Sequence, residues 1–98
     1  MLTYDIEKNK WELHKLNTED GEEVEFHYYS SAVTISSGNV LITGGGLFND
    51  VYLFSPKDCK IKVKEPMNLI KKEHSTVYLN GKVYAIGGYD GQSSKFLN

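Results

Sequence analysis

Apolar and polar residues alternate along this chain in short runs, broken by glycine, asparagine and proline. A period of two over four to eight residues is the pattern of half-buried strands. It predicts eight of them, over 2–6, 10–16, 29–36, 39–45, 50–55, 60–65, 74–79 and 82–88. "SGN" (37–39) and "NGK" (80–82) read as tight hairpin turns, with Gly38 and Gly81 supplying positive φ. Tyr4 and Trp11 lie symmetrically about a turn near Glu7-Lys8-Asn9, which brings both rings together across a hairpin. The expected class is all-β and antiparallel.

"VLITGGG" (40–46) ends a β-branched strand in three glycines, the place where a dinucleotide-binding turn would begin. The fingerprint needs a small residue at its sixth position, and here that position is Asn49. "NDVYLFSP" (49–56) has no helical periodicity and stops at Pro56, so it predicts a further strand. A phosphate site would lack the helix N-terminus that makes it work. No Gly-Lys-Ser/Thr follows either, which removes a P-loop.

The glycines instead belong to an internal repeat. Laying "NGKVYAIGGYDG" (80–91) over "SGNVLITGGGLF" (37–48) places Gly81 on Gly38, Val83 on Val40 and Gly87-Gly88 on Gly44-Gly45, an offset of 43. "HSTVYL" (74–79) falls on "SAVTIS" (31–36) at the same offset. A second unit recurs at an offset of 50, where "LFSPKDCKI" (53–61) falls on "TYDIEKNKW" (3–11), Phe54 on Tyr4 and Ile61 on Trp11. The connection after Trp11 is seven residues longer than the one after Ile61, and the acidic stretch "TEDGEEVE" (18–25) accounts for the excess.

Paired glycines, spaced aromatics and a period of 43 to 50 resemble kelch repeats, whose four-stranded antiparallel blades build a β-propeller. "PMNLIKKEHSTVYLNGKVYAIGGYDG" (66–91) is especially similar to the kelch-like, BTB-kelch type of repeat, with Pro66-Met67, a basic residue, His74-Ser75 and Tyr84 before Gly87-Gly88. The pattern departs from the family in two places. Lys71 or Lys72 stands where arginine is usual, and Ile61 stands where the middle repeat would carry tryptophan. The resemblance implies an incomplete propeller of about two blades' worth of strands. Residues 1–17 would be the last two strands of one blade, 18–27 an acidic inter-blade insertion, 28–65 a complete blade and 66–98 the first half of the next. The repeat-motif residues Tyr4, Trp11, Gly44, Gly45, Phe54, His74, Tyr84, Gly87 and Gly88 are expected to serve architecture. Unpaired strand edges at both ends imply an excerpt of a larger assembly, or self-association through the incomplete blades.

Composition adds limits rather than leads. The net charge of −2 and a pI near 5.9 supply no electrostatic reason to expect nucleic acid or an anionic membrane. No run approaches the roughly 20 apolar residues of a membrane helix, and the N-terminus lacks signal-peptide character. One cysteine, Cys59, cannot form an internal disulfide, which points to a reducing compartment and a cytoplasmic location. His14, His27 and His74 show no metal-ligand spacing to one another or to Cys59, so neither a metal, a cofactor nor a catalytic histidine pair is expected. A copper oxidase with a cysteine-linked tyrosine also uses such blades, but Cys59 falls in a hairpin turn without a histidine pair.

A fold does not specify a function. The reading best supported is a protein-interaction module, and the kelch-like resemblance implies substrate recognition for a cullin-type ubiquitin ligase. The alternatives are an enzyme (oxidase or hydrolase) on the propeller channel, or an actin-binding structural repeat. Inner strands ending "ITGGG" and "AIGG" offer an enzyme no titratable side chain. Up-and-down strands send three segments to one face: the acidic run 18–25, "GLFND" (46–50) and "YDGQSSK" (89–95). The expected partner contacts there are Leu47, Phe48, Tyr89, Asp90, Glu22 and Glu23, apolar anchors rimmed by charge that would steer a basic partner.

Overall fold

In the computed structural model, which describes residues 1–90, the strands form as antiparallel hairpins and no α-helix occurs among the described residues. β1 (Leu2–Asp5) pairs with β2 (Lys10–Leu13). β3 (Ser31–Thr34), β4 (Val40–Thr43), β5 (Val51–Ser55) and β6 (Lys60–Lys64) make one four-stranded sheet in chain order. A two-residue strand β7 (Lys71–Lys72) precedes the hairpin of β8 (Ser75–Leu79) and β9 (Lys82–Ile86), and β7 pairs with a two-residue β10 (Tyr89–Asp90). The sequence predicts neither β7 nor β10, because a lysine pair carries no alternation. Their pairing exists only once the chain has doubled back.

Each turn has a local cause. Asn80 and Gly81 both take positive φ, the requirement of a two-residue type I′ hairpin. Around Gly38 the Ile35 N–H donates to Asn39 O, and Gly38 N–H donates to Ile35 O, a wider hairpin closed by one left-handed glycine. The turns at 5–10 and 55–60 repeat each other down to the backbone. Asn9 (φ 53°) and Cys59 (φ 55°) hold the matching left-handed position, 50 residues apart. Asparagine adopts that conformation at lower cost than cysteine. Cys59→Asn is therefore expected to raise stability by about 0.5–1 kcal/mol, seen as a higher urea midpoint at unchanged slope.

The core lies on one face of the four-stranded sheet. Leu16, Phe54 and Ile61 are buried there, with Met1, Val24, Phe26, Val40, Ile42 and Tyr52 packed around them. The acidic run is part of how this core closes. Val24 N–H donates to Leu16 O and Thr18 N–H to Glu22 O, with Gly21 at φ 85° at the tip. Residues 16–24 are thus a small hairpin whose apolar members face the sheet while its carboxylates face solvent.

The two hairpins that lack a complete sheet show what such a cover does. Tyr4 and Trp11 are cross-strand partners with rings 5.0 Å apart, as the sequence predicts. Yet Trp11 is 65% exposed, whereas Ile61, its repeat counterpart, is 1% exposed. Position in the repeat puts both side chains on the same sheet face, and only the covering segment buries one of them.

Candidate interaction face

The glycine pairs are where separate units of the fold meet. A Cβ on Gly44 would lie 2.4 Å from Lys71 O, and one on Gly88 would lie 2.4 Å from Lys72 O. A Cβ on Gly45 would meet Tyr28 O at 2.7 Å and Ser30 N at 2.8 Å. The same approach is therefore made twice: residues 28–30 close on Gly45, and residues 72–74 close on Gly88. Gly87 meets nothing within 4 Å, and its requirement is a φ of 72°. Backbone bonds hold the junction, from Gly45 N–H to Lys71 O, Gly46 N–H to Tyr28 O and Glu73 N–H to Tyr29 O. Between inner strands, the Ser31 and Thr76 hydroxyls lie 2.9 Å apart.

Thr43, Lys71 and His74 are the polar groups sealed into this junction. His74 is 7% exposed, with Nε2 2.7 Å from Thr43 Oγ1. Lys71 is buried, and its Nζ donates to Ala85 O of β9 at 3.0 Å. The basic position of the repeat is therefore filled by Lys71, whose amine ties the connecting segment to the next hairpin. Burial first, and the Lys71 charge second, push the His74 pKa below its ordinary 6.5. A histidine whose pKa falls on folding binds fewer protons folded than unfolded. Its contribution to stability is full above pH 6.5 and is lost as pH falls through that value toward the lowered one. The urea midpoint is expected to drop between pH 7.5 and 5.5, with a shallower drop in His74→Gln; an unchanged slope in that variant would remove His74 from the account.

The junction carries an aromatic surface on its solvent side. His27 and Phe48 stack with ring centroids 3.7 Å apart and planes 7° from parallel. His27 Nε2 lies 3.1 Å from Asp50 Oδ2 on the same loop, so the ring is held from two sides. Tyr28 and Tyr29 meet edge to face at 5.3 Å, with the Gly46 backbone against the Tyr28 ring. Phe48 remains 46% exposed, and Leu47, Tyr28 and Tyr29 more so. Asn49 ties this loop to the neighbouring connection, donating from Nδ2 to Met67 O and accepting from Met67 N–H at its own carbonyl.

Of the expected contact residues, Leu47 and Phe48 lie on this surface, and Tyr89 and Asp90 are in β10, paired to Lys72 and Lys71. Residues 91–95 of the expected face lie outside the described residues. The acidic turn runs along the outer strand, where Glu19 Oε1 is 3.8 Å from Lys62 Nζ, and Glu23 bridges to Asn17. Glu22 is exposed in that turn, its carbonyl accepting from Thr18 N–H; burial raises the Tyr52 pKa, and the Asp50 and Glu22 charges raise it further. Tyr28 and Tyr29 are absent from the sequence expectation. The signal for them was adjacent aromatics just ahead of a strand, which reads as strand pattern until Tyr29 takes φ 61° and breaks the alternation. Among the described residues no group of three or more His, Cys, Asp or Glu side chains could hold a metal ion. No helix of the described residues is long and apolar enough to cross a membrane.

One four-stranded antiparallel sheet in chain order, flanked by hairpins that repeat its halves and joined to its neighbours at glycine pairs, defines a blade-repeat protein of the β-propeller type. The Kelch motif family model matches residues 71–98. Kelch-like protein 6 of Homo sapiens is 37% identical over 79 residues, which is 80% of this chain and 12% of that protein. The chain is a kelch-repeat protein.

Proposed function

We propose that the chain uses the surface of Tyr28, Tyr29, Leu47 and Phe48 to hold a partner protein, as the substrate-recognition part of a cullin-type ubiquitin ligase in the cytoplasm. Residues 28–65 act as a complete blade in this reading, 1–17 and 66–98 as parts of its neighbours, and 18–27 as the insertion between blades. The observation that carries it is the aromatic cluster itself. Four large side chains stay exposed on backbone that glycine contacts hold rigid, which is how anchors of an interface are presented. Asp50, 3.1 Å from the His27 ring that stacks on Phe48, and the acidic residues of the insertion, Glu22 and Glu23 among them, would favour a basic partner segment through steering.

The test is a photo-crosslinking amino acid at Leu47, with the captured protein identified and its turnover followed. Capture is expected to fall in Phe48→Ala and Tyr28→Ala and to persist in Lys57→Ala and Asn80→Ala, whose turns lie at the opposite ends of the strands. Loss of capture in the latter pair alone assigns binding to the other face. Turnover of the captured protein that ignores cullin inhibition overturns the ligase role and leaves the binding module.

A further inference from the structure

We propose that the notch between the Tyr28 and Phe48 rings takes an arginine side chain of the partner, its guanidinium stacked on the rings and paired to Asp50; this rests on the interaction surface proposed above and names what that surface reads. Both rings are exposed, and Gly46 borders the gap between them. A Cβ on Gly46 would lie 3.4 Å and 3.5 Å from the Tyr28 ring and 3.6 Å from the Phe48 ring. Glycine therefore keeps open a space that any side chain at this position would enter. The rings are braced from behind. His27 stacks on Phe48 with centroids 3.7 Å apart, its Nε2 3.1 Å from Asp50 Oδ2, while Tyr29 meets Tyr28 edge to face.

The junction does not need these residues for its own closure. At an offset of 43 the glycine pair recurs as Gly87-Gly88, but Tyr89 stands in the place of Gly46. Tyr89 pairs with Lys72 where Gly46 N–H donates to Tyr28 O, so the same backbone approach is made without a third glycine and without a tyrosine. What Gly46 and Tyr28 add is a gap lined by rings.

Charge selects the occupant. The Asp50 side chain is 41% exposed, and among the described residues no lysine lies within ion-pair distance of it. Exposed Glu73, whose N–H donates to Tyr29 O, adds a second acidic residue at the junction. A cation over an aromatic face is attracted by the ring quadrupole. Guanidinium is planar, weakly hydrated and forked, so it stacks and pairs with a carboxylate at once, whereas the ammonium of lysine is a strongly hydrated point charge. An apolar occupant would use the rings and leave Asp50 unanswered, and an acidic one would be repelled.

The probe is the capped peptide acetyl-Ser-Arg-Ser-amide, titrated into the full 98-residue chain while the ring protons of His27, Tyr28 and Phe48 are followed by NMR. Saturable shifts of these signals are expected. The citrulline peptide, which keeps the shape and plane of arginine without its charge, is expected to bind about tenfold more weakly, the scale of a hydrogen bond to a charged group. Asp50→Asn is expected to weaken the arginine peptide by the same factor and to leave the citrulline peptide unchanged. Gly46→Asn fills the gap with a residue that accepts left-handed backbone, and it is expected to lose the shifts with circular dichroism unchanged. Equal affinity for arginine and citrulline, or shifts that persist in Gly46→Asn, would overturn the assignment. Capture at Leu47 alongside either result would leave the interaction surface in place without the arginine site. An arginine response without any capture would keep the site and remove the wider surface.

Discussion

Gly44→Ala is expected to cost about 2–5 kcal/mol, combining a left-handed backbone that alanine disfavours with overpacking against a neighbour. The new Cβ would lie 2.4 Å from Lys71 O and 2.8 Å from the Met67 methyl, and the first of these is backbone that cannot rotate aside. Relieving it means moving residues 67–74, which hold His74 and the bond from Gly45 to Lys71. Gly88→Ala meets the same obstacle at Lys72 O. Small domains have roughly 5–15 kcal/mol of stability in total, so either change removes much of it. Gly81→Ala is the control. Its φ is 79° but nothing lies within 4 Å, so only the backbone term of about 1–2 kcal/mol remains. Chemical denaturation of the three variants checks the ordering, and a Gly81 effect as large as that of Gly44 would mean that close approach contributes little.

Ile61→Ala is expected to cost about 2–5 kcal/mol, the range for deleting a fully buried branched side chain that leaves a cavity. Ile61 is the most deeply buried large side chain described, enclosed by Leu16 from the acidic hairpin and Phe54 from the neighbouring strand. Val63 stands two residues along on the same face of β6 but is exposed. Its replacement by alanine is expected to change stability by about 0.5 kcal/mol or less. The difference measures what residues 16–24 contribute by covering one end of the strand. Equal losses at the two positions would show that the hairpin does not protect Ile61 in solution.

These two results bear on function because the same elements carry both. The glycine pairs let connecting segments close onto the strand ends, and those segments present Tyr28 and Tyr29 beside Phe48. The proposed partner surface therefore rests on backbone contacts at glycines rather than on a large core.

The sequence by itself determined the strands, their antiparallel order and the turns. Period-two alternation, the Asn80-Gly81 and Gly38 turn residues, and repetition at 43 and 50 are local or self-referential signals, and local physics is enough to read them. It also placed Tyr4 against Trp11, because cross-strand neighbours follow from hairpin register. What only the tertiary structure decided was which of these matched positions are covered. Ile61 and Trp11 occupy one place in the repeat, yet a segment distant in sequence folds over the first and leaves the second open. The same holds for β7 and β10, for the choice of Lys71 over Lys72 as the buried base, and for the aromatic face around Phe48. Each depends on backbone from different units meeting at a glycine, and no periodicity along one strand encodes what approaches it from another.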